Sequence, residues 1–441
     1  MKSINRRQFI QGSIGATSLA AFSANKVRGA NEKIIFGVMG IGGRGTFLAD
    51  IFSRRDDVEI AYLCDPNSRR FARAREVVEE NQDRRPKLLQ DFRKMLEDKN
   101  VDVVINATPD HWHGPGSIMA CQAGKDVYVE KPMVHNIFEG RKLIEASQKY
   151  KRVVQVGMQS RSAAYTQKAR EYIQSGKLGK VHLVRVYNMM KHPSQKSAPA
   201  QPVPAGFDYD LWCGPAPKVP YNPSRRWLNM FDYSCGPIPG DAVHQIDLAR
   251  YIMGDPPAPK TVAHSGGIYV LTDGRDTPDT QMATYDYNDF TLMLESALWM
   301  SYMKKTPGSI RESDKFPHFP FSSTKVEFFG TEGFMYYGRH GGGFQVYNNN
   351  SELIVSEYGR PGDAEHIENF IQCLRKRKPA NANAEVGHNS VLLCHLANIS
   401  YRVGNKQLEF DRQKEFFTNN NEANKYIKRQ YRKPFVISDQ V

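Results

Sequence analysis

From Lys33 onward, short runs of β-branched and other apolar residues alternate with longer stretches whose apolar positions recur every three to four residues. Period-two runs bounded by turns read as strands, and the longer amphipathic stretches read as the helices that cross between parallel strands. Strands are predicted at 34–39, 58–64, 101–107, 127–130 and 153–156, with helices at 44–55, 68–80, 92–98, 116–123 and 137–149. This alternation describes a doubly wound parallel sheet that ends near Gly157. After a helix at 165–175 the character changes, and strand-like runs dominate at 181–190, 261–270, 281–287, 291–298, 325–329, 333–337 and 343–347. The tight turns Asn288-Asp289 and Gly330-Thr331-Glu332 favour antiparallel pairing. Helices at 242–253, 364–377 and 384–402 would lie on one side of that sheet, and the proline-rich segments 193–223 and 306–320 read as loops reaching toward a site or a partner subunit. The expected fold class is α/β. A Rossmann domain over 31–157 precedes an α+β domain over 158–441, with a large, mostly antiparallel open sheet and a C-terminal arm.

The first thirty residues fit neither pattern. Arg6-Arg7-Gln8-Phe9-Ile10 precedes a modestly apolar, uncharged stretch from Ile14 to Ala24, the arrangement of a twin-arginine export signal. A membrane-spanning helix needs about 20 strongly apolar residues, and this stretch is shorter and interrupted by glycine and serine. The expectation is a leader over 1–30, a periplasmic or otherwise extracytoplasmic protein, and no transmembrane anchor. The length of 441 residues suits two hydrophobic cores. The net charge of +13 is spread along the chain without a nucleic-acid-binding motif, so a basic surface is expected and a nucleic-acid partner is not. Six cysteines show no C-x-x-C spacing and are expected to be buried free thiols.

Gly40-Ile41-Gly42-Gly43-Arg44-Gly45 follows the first strand and opens the first helix. In that context G-x-G-x-x-G is a dinucleotide fingerprint. Gly40 permits the tight turn, Gly42 lets backbone approach the pyrophosphate, and Gly45 lets helix pack on strand. Ile41 and Arg44 lie in the same loop. Asp65 ends the second strand, where its carboxylate can accept from both ribose hydroxyls, favouring NAD over NADP. Arg69 and Arg70 are the residues that would answer a 2′-phosphate. Glu130-Lys131-Pro132 lies at the C-terminal end of a strand, the edge where open α/β sheets place ligands, and the Lys131 ammonium can stabilise a developing alkoxide there. His244 opens a helix with Asp241 and Asp247 three residues to either side, a spacing that lets a carboxylate orient the imidazole while the other ring nitrogen faces a substrate hydroxyl. Gln159, just past the last parallel strand, is positioned to contact a carboxamide or ribose.

Taken together, the glycine loop at 40–45, Asp65, Thr108-Pro109-Asp110-His111-Trp112-His113, Ala123-Gly124-Lys125, Glu130-Lys131-Pro132, Gln155-Val156-Gly157 and Val243-His244-Gln245-Ile246-Asp247 resemble the Gfo/Idh/MocA oxidoreductases, named for glucose–fructose oxidoreductase and inositol dehydrogenase. The leader and the His-Trp-His sequence resemble an exported branch that includes glycoside 3-dehydrogenases and, more distantly, an NAD-dependent glycosidase family. The resemblance implies that Lys131 is catalytic and that Glu130 contacts the cofactor. It sets the Thr108-Pro109 turn and His113 against the nicotinamide end, and Arg161, Arg226 and Trp227 along the substrate cleft with Lys131, His244 and Asp247. It also implies a dimer or tetramer formed through the open sheet face. The family usually has an aspartate four residues before the histidine. Here Gly240 stands at that position, and the aspartate's part passes to Asp241.

His111 and His113 suggest a metal, but two histidines at i, i+2 lack a third ligand and hydride transfer needs none, so no metal is expected. Trp112 and Trp227 offer ring faces on which a sugar can stack or a core can pack. The expected activity is hydride exchange between NAD and a secondary alcohol of a sugar, glycoside or polyol, with a tightly held cofactor. One alternative is an NAD-dependent glycosidase that oxidises transiently at C3 and eliminates. The other is a non-catalytic protein that binds dinucleotide and sugar.

Overall fold

The computed structural model describes residues 33–192, 198–224 and 227–441. The expected leader over 1–30 and Arg226 lie outside the described residues.

Six parallel strands make the first sheet: β1 (Ile34–Met39), β2 (Val58–Cys64), β3 (Lys87–Leu89), β4 (Val103–Asn106), β5 (Asp126–Val129) and β6 (Val154–Val156). Their order is β3-β2-β1-β4-β5-β6, so the chain adds strands outward in opposite directions from β1 and from β4, and the crevice opens at that switch point. The crossover helices include α1 (Gly43–Ser53), α2 (Phe71–Glu79), α3 (Asp110–Gln122) and α4 (Ile137–Lys149). The helix α3 starts six residues earlier than the sequence predicts, because Pro115 is accommodated inside it. Proline there deletes the N–H that would bond the His111 carbonyl one turn back, and the helix continues past it. Gly116 then lets α3 lie close on the sheet, since a Cβ there would sit 2.2 Å from the Met39 methyl.

A helix α5 (Ala164–Gln174) leads into the second sheet, formed by β7 (Leu183–Met189), β8 (Thr261–Gly267), β9 (Thr280–Asp286), β10 (Thr291–Ala297), β11 (Lys325–Phe329), β12 (Gly333–Gly338), β13 (Phe344–Asn348), β14 (Leu353–Glu357), β15 (Leu408–Asp411) and β16 (Phe416–Phe417). The order is β14-β13-β12-β11-β7-β10-β9-β8-β15-β16. Every pairing is antiparallel except the central β7–β10 pair. The helices α6 (Val243–Ile252) and α8 (Ala384–Arg402) pack against this sheet and carry Ile246, Leu393 and Leu396 into a core cluster that also holds Val104, Val129 and Val156 of the first sheet. The helix α7 (Asp363–Lys376), though late in the chain, returns to the first sheet, where Phe370 packs edge-on against Phe36 and Tyr128. All six cysteines are buried and unpaired. Among the described residues no helix is long and apolar enough to cross a membrane.

Candidate active site

The crevice at the switch point is a cavity of about 880 Å³ lined by residues of both domains. The glycine loop forms one end. Gly40 takes φ +82°, and a Cβ on it would press to 2.8 Å against Thr108 backbone, so only glycine brings β1 and β4 this close. Gly45 supports the same turn from α1, where a Cβ would lie 1.8 Å from the Gly40 carbonyl oxygen. Gly42 precedes α1 without capping it through a side chain, and the first helical turn carries no acidic residue. The uncapped N–H groups and the positive end of the helix therefore face a part of the cavity lined by Gly42, Gly43 and Arg44, a cradle that fits a pyrophosphate. Ile41 contributes backbone and core: its N–H donates to Asp65 Oδ2 at 3.1 Å and its side chain is buried.

Asp65 opens onto a small adjoining chamber instead of the main cavity. Its carboxylate accepts from Asn67 N–H at 2.9 Å and from Arg70 Nη1 at 3.2 Å. Burial raises its pKa, against the pull of Arg70 and these backbone donors. The arginine beside it is thus already occupied by the carboxylate.

The middle of the cavity collects the ends of β4 and β5. Thr108 Oγ1 bonds Asn106 Oδ1 at 2.7 Å, and Pro109 leads into α3. His113 spans the two strand ends, with Nδ1 2.6 Å from the Pro132 carbonyl and Nε2 2.8 Å from that of Thr108. His111 turns away, its ring nitrogens on the Tyr233 and Trp212 carbonyls, and burial pushes its pKa down to about 3. Both histidines are thus engaged by backbone. Glu130 is buried and accepts from Arg44 Nε at 2.7 Å. Burial opposes its charge, but Arg44 and Lys131 outweigh it and hold the carboxyl below its ordinary range. Gln159 lines the cavity nearby, its amide 3.1 Å from Tyr128 Oη.

Lys131 crosses from β5 to the second domain, and its Nζ lies 2.5 Å from the Gly240 carbonyl oxygen. Gly240 sits in a π-helical turn, Ile238–Ala242, which runs straight into α6 and delivers His244 to the cavity wall. Such wide turns often serve to re-aim a side chain at a site. His244 Nδ1 is buried with no hydrogen-bond partner. Burial, then the charges of Arg339 and Lys131, drives the His244 pKa well below its ordinary value, so the ring is neutral.

Three expected site residues lie elsewhere. Asp241 does not line the cavity: it pairs with Arg339 Nη1 at 2.9 Å and Lys305 Nζ at 3.8 Å, which together with Lys131 outweigh burial and keep it ionised. Its reach toward the site is through Arg339. Arg161 and Asp247 form a fully buried pair at 2.7 Å, joined by Asp255 at 3.0 Å, beneath the cavity and not on its wall. The i, i+3 spacing that suggested a shared face with His244 places Asp247 on the inner side of α6, against Ser390. Trp112 is a core residue, edge-on to Phe92 and Phe435, whereas Trp227 lines the cavity.

The sequence reading missed Arg311, Arg339 and His340, which line the substrate end, and the aromatic wall of Tyr209, Trp212 and Tyr221. A signal existed in Gly341-Gly342-Gly343, all at positive φ, which turn the chain sharply after Arg339-His340 at the end of β12. Burial, Arg339 and Arg311 push the His340 pKa down to about 2.

The pattern of the Gfo/Idh/MocA oxidoreductase family's NAD-binding Rossmann fold matches residues 34–158, and that of its C-terminal α/β domain matches 166–271 and 330–437. The chain belongs to the Gfo/Idh/MocA oxidoreductase family. Its N-terminal domain is the family's NAD-binding Rossmann domain, and the uncapped glycine cradle suits that cofactor. The chain is 26% identical over 219 residues to a myo-inositol 2-dehydrogenase of Thermotoga maritima, spanning 50% of this chain and 54% of that protein. It is 37% identical over 138 residues to a glycosyl hydrolase family 109 protein of Stenotrophomonas maltophilia, spanning 30% of each. These matches cover about half or less of the length of the curated relatives. Among solved structures, the WlbA dehydrogenase of Bordetella pertussis, in complex with NADH and UDP-GlcNAcA, superimposes with a TM-score of 0.63 at 19% identity over 86% of this chain and 99% of that one.

Proposed function

We propose that the protein transfers hydride between a tightly held NAD and a secondary alcohol of a sugar, glycoside or polyol. The observation that carries this reading is the convergence of Lys131 and His244, from different domains, on the cavity that begins at the glycine loop. Bound nicotinamide supplies the acceptor for the hydride that leaves the carbinol carbon. Gly42, Gly43 and Arg44 would hold the pyrophosphate, Asp65 a ribose, and Thr108, Pro109, His113, Glu130 and Gln159 the nicotinamide end. Neutral His244 takes the hydroxyl proton, and Lys131 donates to the alcohol oxygen as negative charge develops on it. Trp227 and the aromatic wall exclude water and offer ring faces to the sugar. In the reverse direction His244 returns the proton and the ketone is reduced.

Export through the Arg6-Arg7 leader is part of this proposal. A dinucleotide loaded before export has no ready replacement outside the cytosol, so a retained cofactor must be regenerated in place by a second carbonyl substrate. Assembly through the open face of the ten-stranded sheet, as a dimer or tetramer, belongs to the same reading. The match to a glycosyl hydrolase family 109 protein favours one other reading, in which oxidation, elimination and re-reduction cleave a glycoside without net redox change.

The test begins with purified holo-protein, identification of the dinucleotide released on denaturation, and the near-ultraviolet absorbance of reduced nicotinamide across a panel of sugars and glycosides. Ketosugar formed in step with acceptor reduction supports the oxidoreductase. Free sugar released with exchange of the C2 hydrogen to solvent supports the glycosidase. A dinucleotide that is never reduced by any member of the panel, with no free sugar released from any glycoside, overturns both.

A further inference from the structure

We propose that the substrate carries a carboxylate and that Arg311 recognises it; this deepens the sugar-oxidoreductase reading and rests on it. Four arginines line the cavity. Arg44, Arg70 and Arg339 each have a carboxylate partner, at 2.7 Å on Glu130, 3.2 Å on Asp65 and 2.9 Å on Asp241. Arg311 has none among the described residues. Its Nε donates to the Thr306 carbonyl at 2.7 Å, which fixes the guanidinium plane and leaves both terminal nitrogens for a ligand.

The surroundings reinforce that charge instead of cancelling it. Lys305 lies within the electrostatic field of Arg339, Lys131 and Arg311, and burial together with these cations lowers its pKa against the pull of Asp241. Asp241 is an acid at this end, and it is already shared by Arg339 and Lys305. Asp363, which also lines the cavity, lies in the field of Arg44 and Glu130 and also of Glu365 and Glu312, the residue after Arg311, and burial raises its pKa. His340 is neutral. The substrate end therefore holds more positive than negative charge in a concave, half-apolar setting, where a fixed guanidinium fork binds carboxylate through two parallel hydrogen bonds. The pyrophosphate does not account for the surplus, because its cradle is at the opposite end, around Arg44. A uronic acid, or a glycoside of one, brings both the secondary alcohol that Lys131 and His244 require and the anion that Arg311 lacks.

The experiment compares the methyl glycosides of glucuronic and galacturonic acid with the matching methyl glucoside and galactoside, on the intact holo-protein. Reduction of bound dinucleotide gives kcat/KM, and calorimetry on the Lys131→Met holo-protein gives Kd independently of turnover. The expected result is a preference of about tenfold or more for at least one uronide over its neutral counterpart in both readouts. Arg311→Leu should collapse that ratio toward one, and Arg311→Lys should restore part of it. Equal use of both members of each pair, a preference for the neutral sugars, or an Arg311→Leu variant with an unchanged ratio overturns the inference while leaving the oxidoreductase reading standing. Failure of all four compounds to reduce the dinucleotide and to bind overturns this inference, and the wider sugar panel then decides the oxidoreductase reading separately.

Discussion

Lys131 Nζ and the Gly240 carbonyl oxygen, 2.5 Å apart, join the strand end of the first sheet to the π-helical turn that carries His244. The ammonium is thereby held at the cavity by a neutral acceptor, at the position where the family resemblance leads one to expect an aspartate. A Cβ on Gly240 would meet nothing within 4 Å, so the place of that carboxylate is open space. With a neutral acceptor at Gly240, Lys131 feels the Glu130 and Asp241 carboxylates only through the field, and its donor can turn to an alkoxide. Lys131→Met should retain the dinucleotide and lower the rate of hydride transfer about a hundred- to thousandfold, the usual worth of one oxyanion donor. Stopped-flow absorbance on holo-protein checks this, and a variant with the parent's rate would remove Lys131 from the mechanism.

Stability should fall as the solution is acidified from neutrality. His366 is pushed down to about 4, and His111 and His395 to about 3, all chiefly by burial. Unfolded histidines take up protons near pH 6.5, whereas these do not until far lower, so the unfolded state binds more protons in that window and gains on the native state. Each such group contributes about 1.4 kcal/mol per pH unit, from near 6.5 down to its folded value. Glu139, pushed up to about 7 by burial, works in the opposite direction between pH 7 and its ordinary value, and it offsets only one histidine. Denaturant midpoints measured from pH 7.5 to 5 should therefore drop; a flat profile would contradict the neutral buried rings.

The Arg161–Asp247 pair is a stability element. Both side chains are only 2% exposed, and Asp247 also accepts from Ser390 Oγ at 2.8 Å. Removing Asp247 leaves buried Arg161 with Asp255 as its remaining carboxylate and Ser390 without its acceptor, at a cost of about 1–3 kcal/mol. Urea unfolding of Asp247→Ala should show that loss, while KM for any substrate of the folded fraction stays near the parent value. A normal midpoint with a raised KM would return Asp247 to the substrate site.

Much of the dinucleotide end was legible because its residues act through backbone and local sequence. Gly40, Gly42, Gly45 and Asp65 are placed by one strand–turn–helix, and strand periodicity located β1 and β2 to the residue. The substrate end was less legible because it is assembled at long range. Arg311 and Arg339 reach the cavity from the end of a four-residue helix and from a strand end, more than a hundred residues past Lys131, and no local spacing announces that meeting. Asp247 misled for a related reason: helical spacing tells which residues are neighbours, but the packing of α6 on α8 decides which neighbours face inward. The short strands β3, β15 and β16 escaped because two to four residues carry too little periodicity to read.

The glycine loop separates packing from ligand approach. Gly45→Ala drives a methyl group to 1.8 Å from the Gly40 carbonyl oxygen, a backbone atom that cannot swing aside. Gly43→Ala meets nothing within 4 Å, although Gly43 lines the cavity. The first should therefore lower stability by about 1–3 kcal/mol or more, as overpacking does. The second should leave unfolding unchanged and act only on dinucleotide retention. Equal unfolding losses in the two variants would mean that the loop is not held as described.

Asp65 offers the sharpest check on cofactor choice. Its carboxylate holds Ile41 N–H, Asn67 N–H and Arg70 together, so Arg70 is neutralised where a 2′-phosphate would otherwise attract it. Replacing Asp65 with serine keeps an acceptor for the backbone but removes the negative charge, and it frees a guanidinium on the cavity wall. Affinity for NAD should fall and affinity for NADP should rise, because the repulsion between carboxylate and phosphate disappears as Arg70 becomes available to bond the phosphate. Dinucleotide extracted from purified Asp65→Ser, compared with that from the parent protein, gives the answer without any assay of turnover. An unchanged preference for NAD would show that the ribose is recognised by something other than this carboxylate.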